Sequence, residues 1–177
     1  MITTLQSETR DYMRDHYKTR FWALRPKRIN DVCYSDTFFS FIVSIRGLKC
    51  FQMFAFKSSS YECIKLMKRE VEAPGAYEDI IREVGAPNKM VTDNAKVLTG
   101  TKWESINRRY CIESGLSVPH HQHQNYAKNC GGNFKLAVLC LLHLTLHVPL
   151  SYWCFAAEFM DKMVENYKEN SEFILNT

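Results

Sequence analysis

Runs of apolar residues divide the middle of the chain into three short strands. Residues 32–45 (VCYSDTFFSFIVSI) are rich in β-branched and aromatic residues, and the turn signal Arg46-Gly47 separates them from KCFQMFAF. A run of three serines then precedes a third candidate strand, YECIKLM. Three strands joined by such short connections predict an antiparallel meander.

The period of the apolar positions changes after residue 70. Ala76, Ile80, Ile81 and Val84 recur at helical spacing, and Gly85 supplies a stop signal. Beyond it, KMVTDN predicts a buried strand, TKWESINRRY a helix, and residues 111–118 a further strand. The order β-β-β-α-β-α-β-α predicts an α/β fold with a mixed five-stranded sheet flanked by helices.

Residues 136–157 form a long segment without formal charge, and its 22 residues would suffice to span a bilayer. His143, His147 and Ser151 interrupt the segment, and Pro149 lies inside it. We therefore expect two buried helices of a globular fold and no membrane association, with one helix ending near Val148 and the next over SYWCFAAEFMDKMVENY.

The amino-acid composition indicates a globular protein with a buried core. With 46% hydrophobic and 24% charged residues in 177, the chain can bury a core and is not expected to be disordered as a whole. Its net charge of +4 is compatible with a polyanionic partner but does not require one. The seven cysteines are odd in number and form no CxxC, which indicates reduced, buried thiols. With no apolar signal-peptide stretch at the start, we expect an intracellular protein that is not secreted.

Two aspartates stand out by their position. Asp36 lies within the first apolar strand, and Asp93 ends the fourth. A carboxylate in an apolar strand costs free energy unless it is paired or bound to a cation, and Mg²⁺ prefers such oxygen ligands. The residues alone leave a second interpretation open, in which Asp93 caps a turn and Asp36 lies at an exposed edge.

Four segments, in the correct order, resemble the integrase catalytic core of Ty1/copia-type retrotransposons. They cover about residues 30 to 165 and are YSDTFFSFIVSIRGLKCFQMFAF, REVGAPNKMVTDNAKVLTGTKWESINRRY, VPHHQHQNYAKN and YWCFAAEF. The resemblance implies an RNase H-like fold and DNA strand transfer, with two metal ions acting on a phosphodiester. It divides the chain into a basic lead-in at 1–30, an integrase-like core at 31–168 and a polar tail at 169–177.

The family's active site is a D, D, E triad, and the resemblance places its first two members on Asp36 and Asp93, as ligands of Mg²⁺ or Mn²⁺. The third acid follows the second by about 35 residues, at position 128, which is a lysine here. Replacing a carboxylate by an ammonium beside a cation site costs about 1–4 kcal/mol. We therefore expect Lys128 to impair catalysis and to weaken or abolish metal binding.

The resemblance also implies DNA as the partner, homo-oligomeric assembly and action in the nucleus. Gln124 and Asn125 match a family Q-N pair that meets DNA ends. Lys135 follows Lys128 by two helical turns, so both could face a phosphate backbone, although a solvated lysine is as common an outcome.

Histidines raise a different possibility. His120, His121 and His123 form an HHxH group that could bind zinc with Cys130, but its spacing does not match a common structural site. His143 and His147 lack the glutamate of an HExxH motif. We therefore do not expect a zinc site.

Three function classes remain open. The first is a polynucleotidyl transferase core that Lys128 has impaired. The second is a non-catalytic DNA-binding or assembly module that keeps the fold. The third is an RNase H-like nuclease in which Glu104 or Glu113 takes the vacant acidic role.

Overall fold

The computed structural model describes residues 27–93, 98, 100–116, 126–145 and 148–175, and it contains a mixed five-stranded sheet with helices on both faces. The strand order is β3-β2-β1-β4-β5, antiparallel among β1, β2 and β3 and parallel among β1, β4 and β5. The strands are β1 Arg28–Phe39, β2 Cys50–Phe56, β3 Glu62–Met67, β4 Ala86–Thr92 and β5 Glu113–Leu116. The α-helices are α1 Ala73–Glu83, α2 Thr101–Arg109, α3 Tyr126–Leu144 and α4 Trp153–Leu175, with 3₁₀ turns at Glu70–Glu72 and Leu150–Tyr152. The predicted meander and mixed sheet are confirmed.

Two apolar cores lie on opposite faces of this sheet. Helices α1 and α2 cover one face, around Tyr77 and Trp103, and helices α3 and α4 cover the other, around Phe134 and Trp153. Strand β2 is buried at every position because its side chains alternate between the two cores. Strand β2 is thus shielded from water on both sides, and any polar group inside it needs a partner.

A buried hydrogen-bond network satisfies the polar residue in the middle of β2. The amide of Gln52 donates to the hydroxyl of Ser35 over 2.6 Å and accepts from the hydroxyl of Thr37 over 2.6 Å. Ser35 in turn donates to the backbone carbonyl of Met53 over 3.0 Å. The network therefore ties β1 to β2 on the face that α1 covers.

The first strand is shorter at its carboxyl end than the sequence pattern predicts. β1 ends at Phe39, and residues 40–48 form a loop in place of the predicted strand over 32–45. The loop bonds to the start of α4, where Ile45 N–H donates to the Ser151 carbonyl over 2.9 Å and the Trp153 indole donates to the Ile42 carbonyl over 2.9 Å. The prediction was wrong here because the apolar residues of this loop, although exposed, produce the same pattern as a buried strand.

The uncharged segment 136–157 folds as two helices, as predicted. Helix α3 ends at Leu144 and α4 begins at Trp153. Only one side of α3 is buried, however, and Leu136, Leu139 and Leu144 are exposed on the other. Within the described ranges, no helix is both long and apolar enough to cross a membrane.

All seven cysteines are free thiols. Five are buried, as predicted, but Cys111 and Cys140 are exposed, on a turn and on the outer side of α3. Expecting every thiol to be buried was therefore wrong, because an apolar run in the sequence can belong to an exposed helix face.

Adjacent glycines in α3 should respond oppositely to alanine. A Cβ on Gly131 would overlap the ring of Phe38 in β1, whereas a Cβ on Gly132 would meet nothing within 4 Å. Gly131→Ala is expected to lower the free energy of unfolding by about 1–3 kcal/mol, and Gly132→Ala to raise it by about 0.5–1 kcal/mol. Urea denaturation of the two variants measures both effects, and a gain in stability from Gly131→Ala would contradict the close approach of α3 to β1.

Candidate metal centre

Asp36 of β1 lies beside Asp93, which directly follows the neighbouring parallel strand β4. Ser35 of β1 pairs with Thr92 of β4, and each aspartate is the next residue along the chain. Adjacent strands are about 4.8 Å apart, so the backbones of the two aspartates are neighbours, and the charge of Asp93 acts on Asp36. Asp36 is buried in the central strand of the sheet, at 6% exposure. The alternative that placed Asp36 at an exposed edge was therefore wrong.

Helix α3 crosses β1 directly over Asp36. Tyr126 of α3 contacts Tyr34 edge to face with ring centroids 6.0 Å apart, and Gly131 lies against Phe38. Tyr34 and Phe38 flank Asp36 at two residues on either side, so the three side chains share one face of β1. Lys128 lies between the two contact points on the helix, and its charge acts on Asp36.

The pKa of Asp36 reflects this setting. Burial and the neighbouring charge of Asp93 raise the pKa of Asp36 to about 6, while the charge of Lys128 and a 3.0 Å hydrogen bond from the backbone N–H of Thr37 lower it in part. The three predicted residues are thus brought into one electrostatic group. The energetic conflict between two close carboxylates is what a bound cation relieves.

The cost of ionising Asp36 gives a pH-dependent prediction. Its folded pKa of about 6 exceeds the unfolded value of 3.8, so the stability from the protonated form is complete below pH 4 and is lost as the pH rises through 6. Asp36→Asn in EDTA is therefore expected to raise the free energy of unfolding by about 1–3 kcal/mol at pH 7.5 and by much less at pH 4.5.

Urea denaturation at the two pH values checks this expectation. Asp79→Asn, on the half-exposed outer side of α1, is a matched control that should change stability by less than about 0.5 kcal/mol at either pH. A gain from Asp36→Asn that is the same at both pH values would show that charge is not its cause.

The described residues supply no third acidic ligand to this pair. Across the parts of the chain that the structure describes, no three histidine, cysteine or acidic side chains group closely enough to hold a metal ion. Glu104 pairs with Arg108 on the outer side of α2, over 3.4 Å. Glu113 pairs with Lys89 over 2.6 Å at the start of β5. This pair lies three residue pairs before Thr92, the last residue of β4, which Asp93 follows.

Two carboxylates fit one kind of metal site. Mg²⁺ is commonly held by one or two carboxylates together with water and phosphate oxygens, so Asp36 and Asp93 fit a single magnesium ion. A site for two metal ions needs further ligands, and Lys128 brings a positive charge to the same place. Among the residues that the structure describes, the ligands therefore suit one weakly held cation rather than a pair.

Of the predicted DNA-binding residues, the structure describes only Lys135. Its ammonium donates to the Phe39 carbonyl over 2.7 Å and lies 5.5 Å from the centre of the Phe38 ring, and burial lowers its pKa. Lys135 thus stabilises the end of β1, and its contact with DNA stays a prediction.

Gln124 and Asn125 lie outside the described residues, as do His120, His121 and His123 of the zinc hypothesis. Cys130, the fourth residue of that hypothesis, is buried in the core under α3.

An acidic residue that the sequence did not single out, Asp31, has a separate role at the opposite end of β1. Its carboxylate accepts hydrogen bonds from the backbone N–H groups of Val32, Ser58 and Ser59, at 2.6 to 3.1 Å, and from the Ser59 hydroxyl. Burial alone would raise the pKa of Asp31, but these hydrogen bonds outweigh it and lower the pKa. The three serines between β2 and β3 indicate a turn whose N–H and hydroxyl groups could bind a carboxylate. Their sequence does not indicate which acidic residue accepts these hydrogen bonds.

Sequence comparison does not place the chain in a family. No family model matches it, and no curated protein matches it.

Solved structures show what the fold resembles. The structure is similar to a chain of the simian T-cell lymphotropic virus intasome in complex with the PP2A regulatory subunit B56 gamma, with TM-score 0.60 and 15% identity over 75% of this chain. The match spans 50% of that viral chain. It is also similar to the HTLV-2 integrase catalytic core domain in complex with magnesium, in trimeric and dimeric forms, with TM-score 0.56 and 18% identity over 76% of this chain and 84% and 86% of those chains. At these identities the likeness concerns the fold alone, and the fold of this chain is the RNase H-like fold of integrase catalytic cores.

Proposed function

We propose that this chain is a DNA-binding integrase core of the Ty1/copia type in which Lys128 impairs strand transfer. The observation that carries the proposal is that Asp36 and Asp93 follow the paired residues Ser35 and Thr92 of adjacent parallel strands, and that the charge of Lys128 on α3 acts on Asp36. This arrangement supports the assignment that the resemblance implies, in which Asp36, Asp93 and Lys128 occupy the three positions of the D, D, E triad. The family type and the impairment are inferences from these residues and from the sequence motifs.

Magnesium, or manganese in its place, is the cofactor of this proposal, held by Asp36 and Asp93. The similar HTLV-2 core domain was solved in complex with magnesium. A bound divalent ion would act as a Lewis acid on an oxygen of the phosphodiester. Lys128 opposes the binding of that ion by like-charge repulsion, and it supplies a cation that can itself pair with a phosphate.

DNA is the proposed partner, and the net charge of +4 is compatible with it. Because phosphate contacts release counterions, binding to duplex DNA should weaken steeply as salt concentration rises. We also propose that copies of the chain associate, as the dimeric and trimeric forms of the HTLV-2 core do. Action in the nucleus follows only from the retrotransposon resemblance.

A DNA-joining assay tests the proposal. Purified chain and its Lys128→Glu variant are incubated with labelled duplex ends and Mn²⁺ or Mg²⁺, and nicked and joined products are resolved on denaturing gels. We expect a trace of product or none from the native chain and at least a tenfold increase from Lys128→Glu. Lys162→Glu, which makes the same charge change at an exposed position of α4, should behave as the native chain does.

The second candidate function is a DNA-binding module without chemistry. The observation that favours it is the ammonium beside Asp36 together with the lack of a third acidic ligand among the described residues. Lys128→Glu that binds duplex DNA with the native affinity but gains no metal-dependent joining or nicking would select this candidate. The nuclease alternative through Glu113 is disfavoured because this carboxylate pairs with Lys89 at the other end of β5.

A further inference from the structure

An exposed apolar surface lies beside the candidate metal centre, where the loop 40–48 meets α3 and α4. We call it the apolar band and define it by Phe41, Ile42, Val43, Ile45, Leu139 and Phe155. Phe41 is fully exposed, and the other five side chains are 42 to 58% exposed. The loop holds these residues in place through the hydrogen bonds of Ile45 to Ser151 and of the Trp153 indole to Ile42.

The band is larger than a monomeric protein ordinarily exposes. Large side chains present roughly 150–250 Å² each when fully exposed, so the band with Phe39, Leu150 and Tyr152 beside it presents on the order of 800 Å². The largest apolar patch of a typical monomer is about 300–600 Å². About 800 Å² per partner is what a stable protein–protein interface buries.

Two cations lie next to the band, and both have partners within the chain. Arg46 forms an ion pair with Glu158 and lies 5.6 Å from the centre of the Phe155 ring. Lys135 donates to the Phe39 carbonyl and lies 6.0 Å from the centre of the Phe41 ring. Arg46 is thus paired within the chain, and the exposed side chains that make up the band are themselves uncharged, so the band suits an apolar partner.

A projecting side chain and a cleft lie next to each other within this surface. The cleft lies between the loop, α3 and α4. Apart from Ser40 and Lys135, its walls are apolar and include Phe51, Phe134, Val138, Leu139, Trp153 and Ala157. Phe41 stands at its rim, exposed to solvent. A two-fold contact requires one patch to be complementary to itself, and a ring beside an apolar cleft meets that requirement when two copies face each other.

We propose that two copies of this chain associate through the apolar band, with Phe41 of each copy seated at the cleft of the other. The proposal rests on the self-association included in the proposed function and adds the surface that carries it. It needs neither metal nor DNA, because the band does not include Asp36, Asp93 or Lys128.

Sedimentation velocity on the full chain, from about 1 to 200 µM, tests the proposal, since standard-size interfaces commonly associate in this range. The native chain is expected to dimerise. Phe41→Gln and Leu139→Gln should each raise the dimer dissociation constant about 30-fold or more, as the loss of an interface hot spot does. Val71→Gln, which changes an apolar residue of similar exposure on the 3₁₀ turn Glu70–Glu72, should leave it unchanged.

The results of this experiment distinguish two proposals, that the chain self-associates and that the apolar band is the interface. A native chain that stays monomeric at every concentration would overturn both. A native dimer that persists in Phe41→Gln and Leu139→Gln would overturn the apolar band while leaving self-association intact. Assemblies that grow without limit would overturn the two-fold arrangement, because only a closed contact stops at two copies. Circular dichroism that matches the native spectrum confirms that each variant is folded.

Discussion

Lys128→Glu is expected to bind Mn²⁺ about 10- to 1,000-fold more tightly than the native chain does. A like charge a few ångström from a cation costs about 1–4 kcal/mol, which corresponds to that range of affinity. Lys128 lies close enough to lower the pKa of Asp36, so its ammonium acts at the place where a metal ion would be held. The new carboxylate would also add a third oxygen ligand. Isothermal titration of the folded chain with Mn²⁺ measures the change directly.

Lys128→Met separates the two contributions. It removes the ammonium without adding a ligand, so we expect an affinity for Mn²⁺ between those of the native chain and Lys128→Glu. Asp36→Asn in the Lys128→Glu background should abolish the gain, because one of the two original ligands is then lost. Equal affinities of the native chain, Lys128→Met and Lys128→Glu would show that position 128 does not face the acidic pair.

Asp31→Asn is expected to lower the free energy of unfolding by about 2–4 kcal/mol at pH 7.5. The native carboxylate accepts hydrogen bonds from three backbone N–H groups and one hydroxyl, and hydrogen bonds to a buried charge contribute about 1.5–3 kcal/mol each. An asparagine keeps one acceptor oxygen and turns an N–H donor toward the donors of Ser58 and Ser59. Urea denaturation measures the loss, and Asp79→Asn again serves as the exposed control.

The pH dependence of Asp31 should be opposite in sign to that of Asp36. The pKa of Asp31 is lowered below its unfolded value of 3.8, so its stabilisation is complete above pH 4 and is lost as the pH falls through its folded pKa. The difference in stability between the native chain and Asp31→Asn should therefore shrink below pH 4, while the difference for Asp36→Asn grows above it. A loss from Asp31→Asn that stays constant down to pH 2.5 would mean that the charge of Asp31 is not what holds the turn.

Local patterns in the sequence were sufficient to predict the sheet and most of its helices. In the meander, in the helix after residue 70 and in the short strand before Asp93, the spacing of the apolar residues indicates one type of secondary structure. The loop 40–48 was misjudged as a strand, because its apolar residues Phe41, Ile42, Val43 and Ile45 are exposed and an apolar run does not tell whether it is buried. The exposed face of α3 was missed for a related reason, since hydrophobicity alone does not tell whether a face is covered.

The candidate site needed more than local patterns. Asp36 and Asp93 could be singled out individually, but their adjacency depends on the parallel pairing of β1 with β4, which no local signal specifies. Lys128 was found only through the spacing of the family resemblance, and the structure gives its position a physical basis in the contact of Tyr126 with Tyr34. Asp31 was missed because its partners follow it by 27 and 28 positions.

The side-chain amide of Gln52 helps to fix the alignment of β1 with β2, and this alignment decides on which face of the sheet Asp36 lies. Side chains alternate along β1, so a slip of one residue against β2 would turn Asp36 toward α1 and leave Ser35 or Thr37 beneath α3. Only the native alignment presents both hydroxyls to one amide, which donates to Ser35 and accepts from Thr37. The hydrogen bonds of Gln52 on the α1 face of the sheet thereby keep Asp36 on the opposite face, where the charge of Lys128 acts on it.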